Sequence, residues 1–149
     1  MSSSFDKLVG LVARLRAPNG CPWDREQTHL SLIRFLKAET QELEAALRRG
    51  SWHEIEDELG DVLLQVLLHA QIKSEQGRFD IQDVAQSQYR KLVRRHPHVF
   101  GKKKLKSAGA VLASWKAIKA RERRERDRDV ARRRPSLRTR DRGRRRAAR

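Results

Sequence analysis

Cysteine, aromatic side chains and long apolar runs are all scarce in this sequence of 149 residues. The single cysteine, Cys21, excludes an intrachain disulfide framework and the zinc sites that require cysteine pairs. No apolar run approaches the roughly 20 residues that cross a bilayer. The N-terminal segment, residues 1–5, is short and polar and has no apolar core, which predicts no secretory signal. We therefore expect a soluble, cytoplasmic protein without membrane contact.

Acidic residues are too few to balance the basic ones, since 19 Asp and Glu face 35 Lys and Arg and leave a net charge of +16. Residues 1–101 contain 14 of each sign, whereas residues 102–149 contain 21 basic and 5 acidic residues. A basic protein is typical of nucleic-acid binding, but this distribution indicates a neutral domain, residues 1–120, and an Arg-rich tail, residues 121–149. The low-complexity end of the tail, residues 132–149, is predicted to be disordered.

Glycine and proline are also few, and they separate segments in which apolar residues recur at helical spacing. The periodicity predicts an all-α protein with helices at residues 5–16, 30–49, 51–75, 80–95 and 108–121, the last extending into the charged segment. Ser51 and Glu54 form a capping-box pattern, and Asp80 is a suitable N-cap. The third helix is apolar nearly all round at residues 62–68 and should be central. Short loops favour an antiparallel bundle.

Two pairs of carboxylates lie at matching distances from the turn expected at Gly50. Glu39 and Asp61 each lie 11 residues from this glycine, and Glu42 and Glu58 each lie 8 residues from it. Within each helix the two carboxylates, Glu39 with Glu42 and Glu58 with Asp61, have i, i+3 spacing and project from one helix face. Antiparallel packing of the helices places the two faces together. The carboxylates of such a cluster repel one another, and burial without a partner would cost them their hydration. A hard cation, Mg²⁺ or Mn²⁺, bound between them would offset both costs. The alternative interpretation is a solvated acidic face.

Several short motifs occur in an order that resembles one known family. They are residues 20–24 (GCPWD), 27–29 (QTH), 39–42 (ETQE), 57–61 (DELGD), 77–80 (GRFD) and 94–101 (RRHPHVFG). Together with Trp115, they make residues 5–119 similar to the MazG-type nucleoside triphosphate pyrophosphohydrolases of the all-α NTP pyrophosphatase superfamily. Long members of this family carry two tandem copies, and this chain resembles the N-terminal copy. It departs from the family signature at Ala38 and Asp57, where the family has glutamate.

The resemblance implies Mg²⁺-dependent hydrolysis of an NTP or dNTP to the monophosphate and pyrophosphate, a step in nucleotide-pool housekeeping. The implied metal ligands are Glu39, Glu42, Glu58 and Asp61, with Mn²⁺ as a substitute for Mg²⁺. A carboxylate at Glu58 or Asp57 would take the proton of the attacking water. Lys91 and Arg95 would hold phosphates, and Trp115 would lie near the nucleotide.

Other interpretations of the same residues remain open. Lys91 and Arg95 also fit solvated cations at a helix end, and Trp23 and Trp115 fit either base stacking or a core. His69, on the predicted buried helix, is expected to satisfy a core hydrogen bond rather than to bind metal. The acidic hairpin presents much apolar surface, which favours a homodimer that completes the fold. The alternative functions are a catalytically silent regulatory or dimerisation module and non-specific nucleic-acid association through the tail.

Overall fold

The computed structural model describes residues 3–133, and this part of the chain contains seven helices. They are α1 (Ser4–Arg16), α2 (Pro22–Glu26), α3 (His29–Arg49), α4 (Trp52–Glu75), α5 (Ile81–Arg95), α6 (Pro97–Phe100) and α7 (Ala108–Arg133). No strand occurs among the described residues, which confirms the all-α prediction. The five predicted helices are present, and the short α2 and α6 are additional. Each of these two has a proline in its first turn and is too short to show a helical period.

The helix starts follow the sequence with one exception. The Asp80 carboxylate accepts the backbone N–H groups of Gln82 and Asp83 at 2.8 and 3.0 Å, which confirms it as the cap of α5. The capping box expected at the start of α4 is wrong, because the Ser51 side chain makes no capping hydrogen bond. Glu54 instead accepts a hydrogen bond from Arg49 Nε at 2.6 Å, across the turn from α3.

The hairpin of α3 and α4 turns at Gly50, which ends α3 in the left-handed conformation with φ of +77°. Glycine adopts this conformation without the steric cost that a Cβ would add. The buried core packs these two helices with α1 and consists of Val12, Leu32, Leu67, Leu68 and Ile72. Both Leu32 and Leu47 recur at helical spacing on α3, but Leu32 is fully buried, whereas Leu47, near the end of the helix, is 58% exposed.

α4 lies at the centre of the core in only part of its length. Its second half carries the buried residues Gln65, Leu67, Leu68, Ala70 and Ile72. Leu59 and Val66, on the same helix, are 52% and 40% exposed. The prediction of a central helix therefore applies to the second half of α4, and even there Val66 remains exposed.

Two polar contacts attach the neighbouring segments to α4. Arg16, whose side chain is only 6% exposed, donates to the Glu75 carboxylate at 2.8 and 3.0 Å. The same guanidinium donates to the backbone carbonyls of Asp24 and Gln27, so it joins α1, the α2 segment and α4. His69 meets His29 with 2.8 Å between their Nδ1 atoms, which confirms the expected hydrogen-bonding role of His69.

The chain divides after Gln88 into two compact units, and α5 runs through the boundary. In the second unit, α7 runs to Arg133, so the last predicted helix does extend into the charged segment and the first part of the predicted tail is helical. Residues 134–149, and with them nearly all of the predicted disordered segment, lie outside the described residues. None of the described helices is long and apolar enough to cross a membrane.

Candidate functional site

Three carboxylates from the hairpin converge in the first unit. Glu39 of α3 and Glu58 and Asp61 of α4 each place an oxygen within 4.8 Å of the others. The left-handed turn between the helices brings these positions level, as expected from their spacing. We call these three residues the carboxylate triad. Glu42, the fourth predicted ligand, is outside this group, but its charge acts on Glu39 and Glu58.

The environment of Glu39 disfavours its charged form. Burial raises the pKa of this carboxyl above its ordinary value, and the negative charges of Asp61, Glu42 and Glu58 raise it further. Desolvation and like charges both oppose ionisation of an acid. The position on α3 is therefore electrostatically unfavourable for a carboxylate unless positive charge balances it.

Glu58 shows the same conflict. Burial is the main cause that raises its pKa, and the negative charges of Glu42, Asp61 and Asp57 raise it further, whereas the positive charge of Arg49 lowers it. Its Oε2 atom is buried and has no hydrogen-bond partner among the described residues. A buried oxygen without a partner is costly and calls for a ligand.

The triad meets the requirements of a divalent cation site. Its donors are all carboxylate oxygens, which suit hard cations such as Mg²⁺ and Mn²⁺ better than softer metals. The unpartnered Oε2 of Glu58 is the independent observation that supports a cation here, since exposed acidic groups alone are common on protein surfaces. Asp57, the other predicted proton acceptor, is an exposed neighbour of Glu58 and does not belong to the triad.

The second unit contains a network around Arg95, at the C-terminal end of α5. Arg95 donates from Nε and Nη2 to one oxygen of Glu122 at 3.1 and 2.7 Å. Arg94 donates from Nε to the other oxygen at 2.6 Å. The hydrogen bond with Arg95 is the main reason that the pKa of Glu122 falls to about 2, and Arg94 contributes as well. Arg95 is thus a half-buried, paired cation and not a solvated helix-end residue.

Trp115 of α7 belongs to the same network. The Arg95 Cζ atom lies 5.8 Å from the centre of its ring, and the Lys119 Nζ atom lies 4.7 Å from it. Both distances are within the range of cation–π attraction. The indole Nε1 is buried without a hydrogen-bond partner among the described residues. Lys91, one turn before Arg95 on α5, is half-buried.

Trp23 lies in the first unit, on α2. Its side chain is 48% exposed, and its ring meets the Phe35 ring edge-on with the centroids 5.4 Å apart. Trp23 therefore packs against an apolar neighbour, as a core residue does, and also has an accessible ring surface, as base stacking requires.

Sequence reasoning missed Glu122 and Lys119. Glu122 lies in the segment RERRERDRD, where alternating charges are typical of a solvated helix, and its partners are 27 and 28 residues away. The contact of Lys119 with Trp115 could have been predicted, because Lys119 lies one helical turn after Trp115 and residues four apart share a helix face. The pairing of Glu122 with Arg94 and Arg95 had no comparable signal in the sequence.

Comparison with known proteins agrees with this architecture. Residues 27–100 match the family described as the MazG nucleotide pyrophosphohydrolase domain. The chain is 48% identical over 118 residues to the "Nucleoside triphosphate pyrophosphohydrolase/pyrophosphatase MazG" of Thermotoga maritima, covering 79% of this chain and 45% of that protein. It is 43% identical over 122 residues to the "Nucleoside triphosphate pyrophosphohydrolase" of Escherichia coli K12, covering 81% of this chain and 46% of that protein.

A solved structure is also similar. The crystal structure of a MazG-related protein from Thermotoga maritima superposes with a TM-score of 0.63 at 25% identity, covering 77% of this chain and 98% of that one. The chain spans less than half the length of the two curated relatives described above. Through the domain of residues 27–100, with its acidic helix hairpin, the chain belongs to the MazG nucleotide pyrophosphohydrolase family.

Proposed function

We propose that this protein hydrolyses nucleoside triphosphates to the monophosphate and pyrophosphate in a Mg²⁺-dependent reaction. The observation that carries the proposal is the carboxylate triad with the buried, unpartnered Oε2 of Glu58, within a domain of the MazG family. The names of the relatives from Thermotoga maritima and Escherichia coli support the same reaction class.

Glu39, Glu58 and Asp61 would hold the cation, and Glu42 would add negative charge beside them. Mg²⁺ in such a site supplies positive charge to phosphate oxygens and acidifies water. Without positive charge, the acidic hairpin would repel a polyanionic substrate. The carboxylates would therefore contribute to substrate binding indirectly, by holding the cation that attracts the phosphates.

The proton of the attacking water would pass to a carboxylate at the start of α4. Glu58 and Asp57 are adjacent in sequence at the start of α4, and a carboxylate at either position can act as a general base. Asp57 is exposed and free of the triad. Asp57→Asn tests the role of Asp57, because loss of the base would lower kcat while Mg²⁺ binding by the triad survives. Glu58→Gln removes a proposed metal ligand as well, so it is expected to weaken Mg²⁺ binding together with kcat.

Cations of the second unit would bind the phosphates. Arg95 has the planar guanidinium that matches phosphate oxygens, and Lys91 lies one turn before it on α5. Trp115, adjacent to Arg95, would contact the nucleotide. Trp23, with its exposed ring surface, would stack on a base.

We also propose that the protein is a cytoplasmic homodimer that acts on the nucleotide pool. Leu47, Leu59 and Val66 on the hairpin are 58%, 52% and 40% exposed. Apolar side chains displayed in this way favour association, because burial of apolar surface is worth about 25 cal/mol per Å². Sedimentation at micromolar concentration tests the dimer.

The central experiment measures products from canonical and damaged NTPs and dNTPs in the presence of Mg²⁺. We expect monophosphate and pyrophosphate from the wild-type protein, and a loss of at least about 100-fold in kcat/KM for Glu39→Gln and Asp61→Asn. Glu56→Gln is the matched control, since Glu56 is an exposed acid of α4 outside the triad. Release of orthophosphate, or no turnover of any substrate, would refute the proposal.

A silent binding module is the second candidate, and Ala38 is the observation that favours it. The family signature has glutamate at this position, so one carboxylate of the usual set is missing. Mg²⁺-dependent binding of a triphosphate without turnover in the same assay would support this candidate over the enzyme.

A further inference from the structure

We propose that Glu122 is a positioning residue that holds the guanidinium of Arg95 in the orientation for binding a substrate phosphate. This inference rests on the proposed function, because it assumes that Arg95 meets the triphosphate. It assigns a role to a residue of α7 that lies beyond the family match of residues 27–100.

Within residues 3–133, the hydrogen bonds of the Arg95 guanidinium are made at one of its edges. Nε and Nη2 both donate to a single oxygen of Glu122, at 3.1 and 2.7 Å. A guanidinium has five N–H donors arranged as a planar fork. The bonds to Glu122 therefore fix the plane of the group and leave the Nη1 donors for an anion. A phosphate can be bound at this second edge without displacing the carboxylate.

The charges of the network leave it able to attract an anion. Glu122 bridges two guanidiniums, since its other oxygen accepts from Arg94 Nε at 2.6 Å. Two positive charges and one negative charge leave a net charge of +1 on these three side chains. If Glu122 faced Arg95 alone, the pair would be neutral, and its attraction for a phosphate would be much weaker.

Burial makes the arrangement rigid. The side chains of Arg95 and Glu122 are both only 16% exposed, whereas Arg94 is 51% exposed. The Arg95 Cζ atom also lies over the Trp115 ring, 5.8 Å from its centre. Hydrogen bonds to charged groups are strong where water is excluded. Arg95 is thus held by two hydrogen bonds and by its contact with the Trp115 ring, as expected for a group that must meet its ligand in one orientation.

The opposite hypothesis is that Glu122 competes with phosphate for Arg95 and inhibits the protein. In that case removal of its charge would improve substrate binding. The two hypotheses predict opposite signs for one substitution, so a single variant separates them.

The experiment compares Glu122→Gln with Glu125→Gln in the full chain. Glu125 lies one turn later on α7 and pairs with Arg121 at 3.7 Å, with both side chains at least 60% exposed, so it is a matched solvent-facing control. We expect Glu122→Gln to lower kcat/KM by about 10- to 100-fold, as a misplaced binding group does. Glu125→Gln should stay within about twofold of wild type.

A double-mutant cycle separates positioning from a purely structural role. If Glu122 acts through Arg95, Glu122→Gln should have almost no further effect in an Arg95→Ala background. Full additivity of the two substitutions would overturn the proposal. So would an effect of Glu122→Gln no larger than that of Glu125→Gln, or an increase in kcat/KM. Circular dichroism and thermal unfolding monitor folding, and Glu122→Asp, which keeps the charge, should restore part of the activity.

Failure of the proposed function gives a different result. If wild-type protein does not turn over any triphosphate, the same variants are compared by calorimetric binding of an NTP analogue with a methylene group between the α and β phosphorus atoms. Weaker binding by Glu122→Gln, absent in the Arg95→Ala background, supports the positioning role without catalysis. If the wild-type protein does not bind the analogue with Mg²⁺ present, both proposals are refuted.

Discussion

Replacement of Glu39 by glutamine is expected to change stability in opposite directions without and with Mg²⁺. In the metal-free protein, the carboxylate oxygens of Glu39, Glu58 and Asp61 lie within 4.8 Å of one another. Two charges at this distance repel by about 1 kcal/mol in bulk water and by about 3.5 kcal/mol at an effective dielectric constant of 20. Asp61 is exposed, so the lower figure applies to its pair with Glu39. Glu39→Gln should therefore stabilise the metal-free protein by about 1 kcal/mol.

The sign follows from the raised pKa of Glu39. An acid with a higher pKa in the folded state opposes folding once the pH exceeds its ordinary pKa, and the full penalty is present above the folded pKa. The gain from Glu39→Gln should therefore be present at pH 8 and should disappear at pH values below the ordinary pKa of glutamate.

Added Mg²⁺ should reverse the order of the two proteins. A cation at ten times its dissociation constant stabilises the folded state by about 1.4 kcal/mol. Wild type should gain this amount, whereas the variant, with one ligand charge fewer, should gain little. The measurement is thermal unfolding at constant ionic strength, first with a chelator and then with increasing Mg²⁺. A change of 1 kcal/mol corresponds to a shift of a few degrees in Tm, about 2–8 °C across this size range.

The Glu56→Gln variant provides the control, and it should follow wild type in both conditions because Glu56 is outside the triad. A variant Glu39→Gln that is less stable than wild type in chelator would refute the electrostatic argument. Equal stabilisation of both proteins by Mg²⁺ would show that the cation binds at another place.

Three further predictions concern stability. Glu75→Gln should lower the free energy of unfolding in urea by about 1–3 kcal/mol, because the nearly buried Arg16 loses its carboxylate partner. Gly50→Ala should cost about 1 kcal/mol in the same assay; no atom would contact the added Cβ, so the cost is the backbone strain at φ of +77°. Glu122, with a pKa lowered from 4.5 to about 2, contributes stability that is present above pH 4.5 and is lost as the pH falls toward 2. Unfolding measured from pH 6 to pH 2 should therefore depend less on pH in Glu122→Gln than in wild type.

Helical periodicity and turn chemistry account for what could be predicted of the fold. The apolar spacing in α1, α3 and α4 and the cap at Asp80 each have a local cause, so the predicted bounds agree with the structure within a residue or two. α2 and α6 were missed, since four or five residues are too few to show a period. The capping box at Ser51 failed because Arg49 offers Glu54 a charged partner across the turn.

The sequence by itself determined the acidic hairpin. Equal spacing of Glu39 and Asp61 from Gly50 brings them level, because residues equidistant from a tight turn lie side by side in an antiparallel helix pair. Tertiary structure decided the environment of these carboxylates, including the burial that leaves Glu58 Oε2 without a partner. It also decided the contact of Glu122 with Arg95, which bridges 27 residues. Local spacing specifies which residues share a helix face, but burial and long-range charge pairing depend on how separate helices pack.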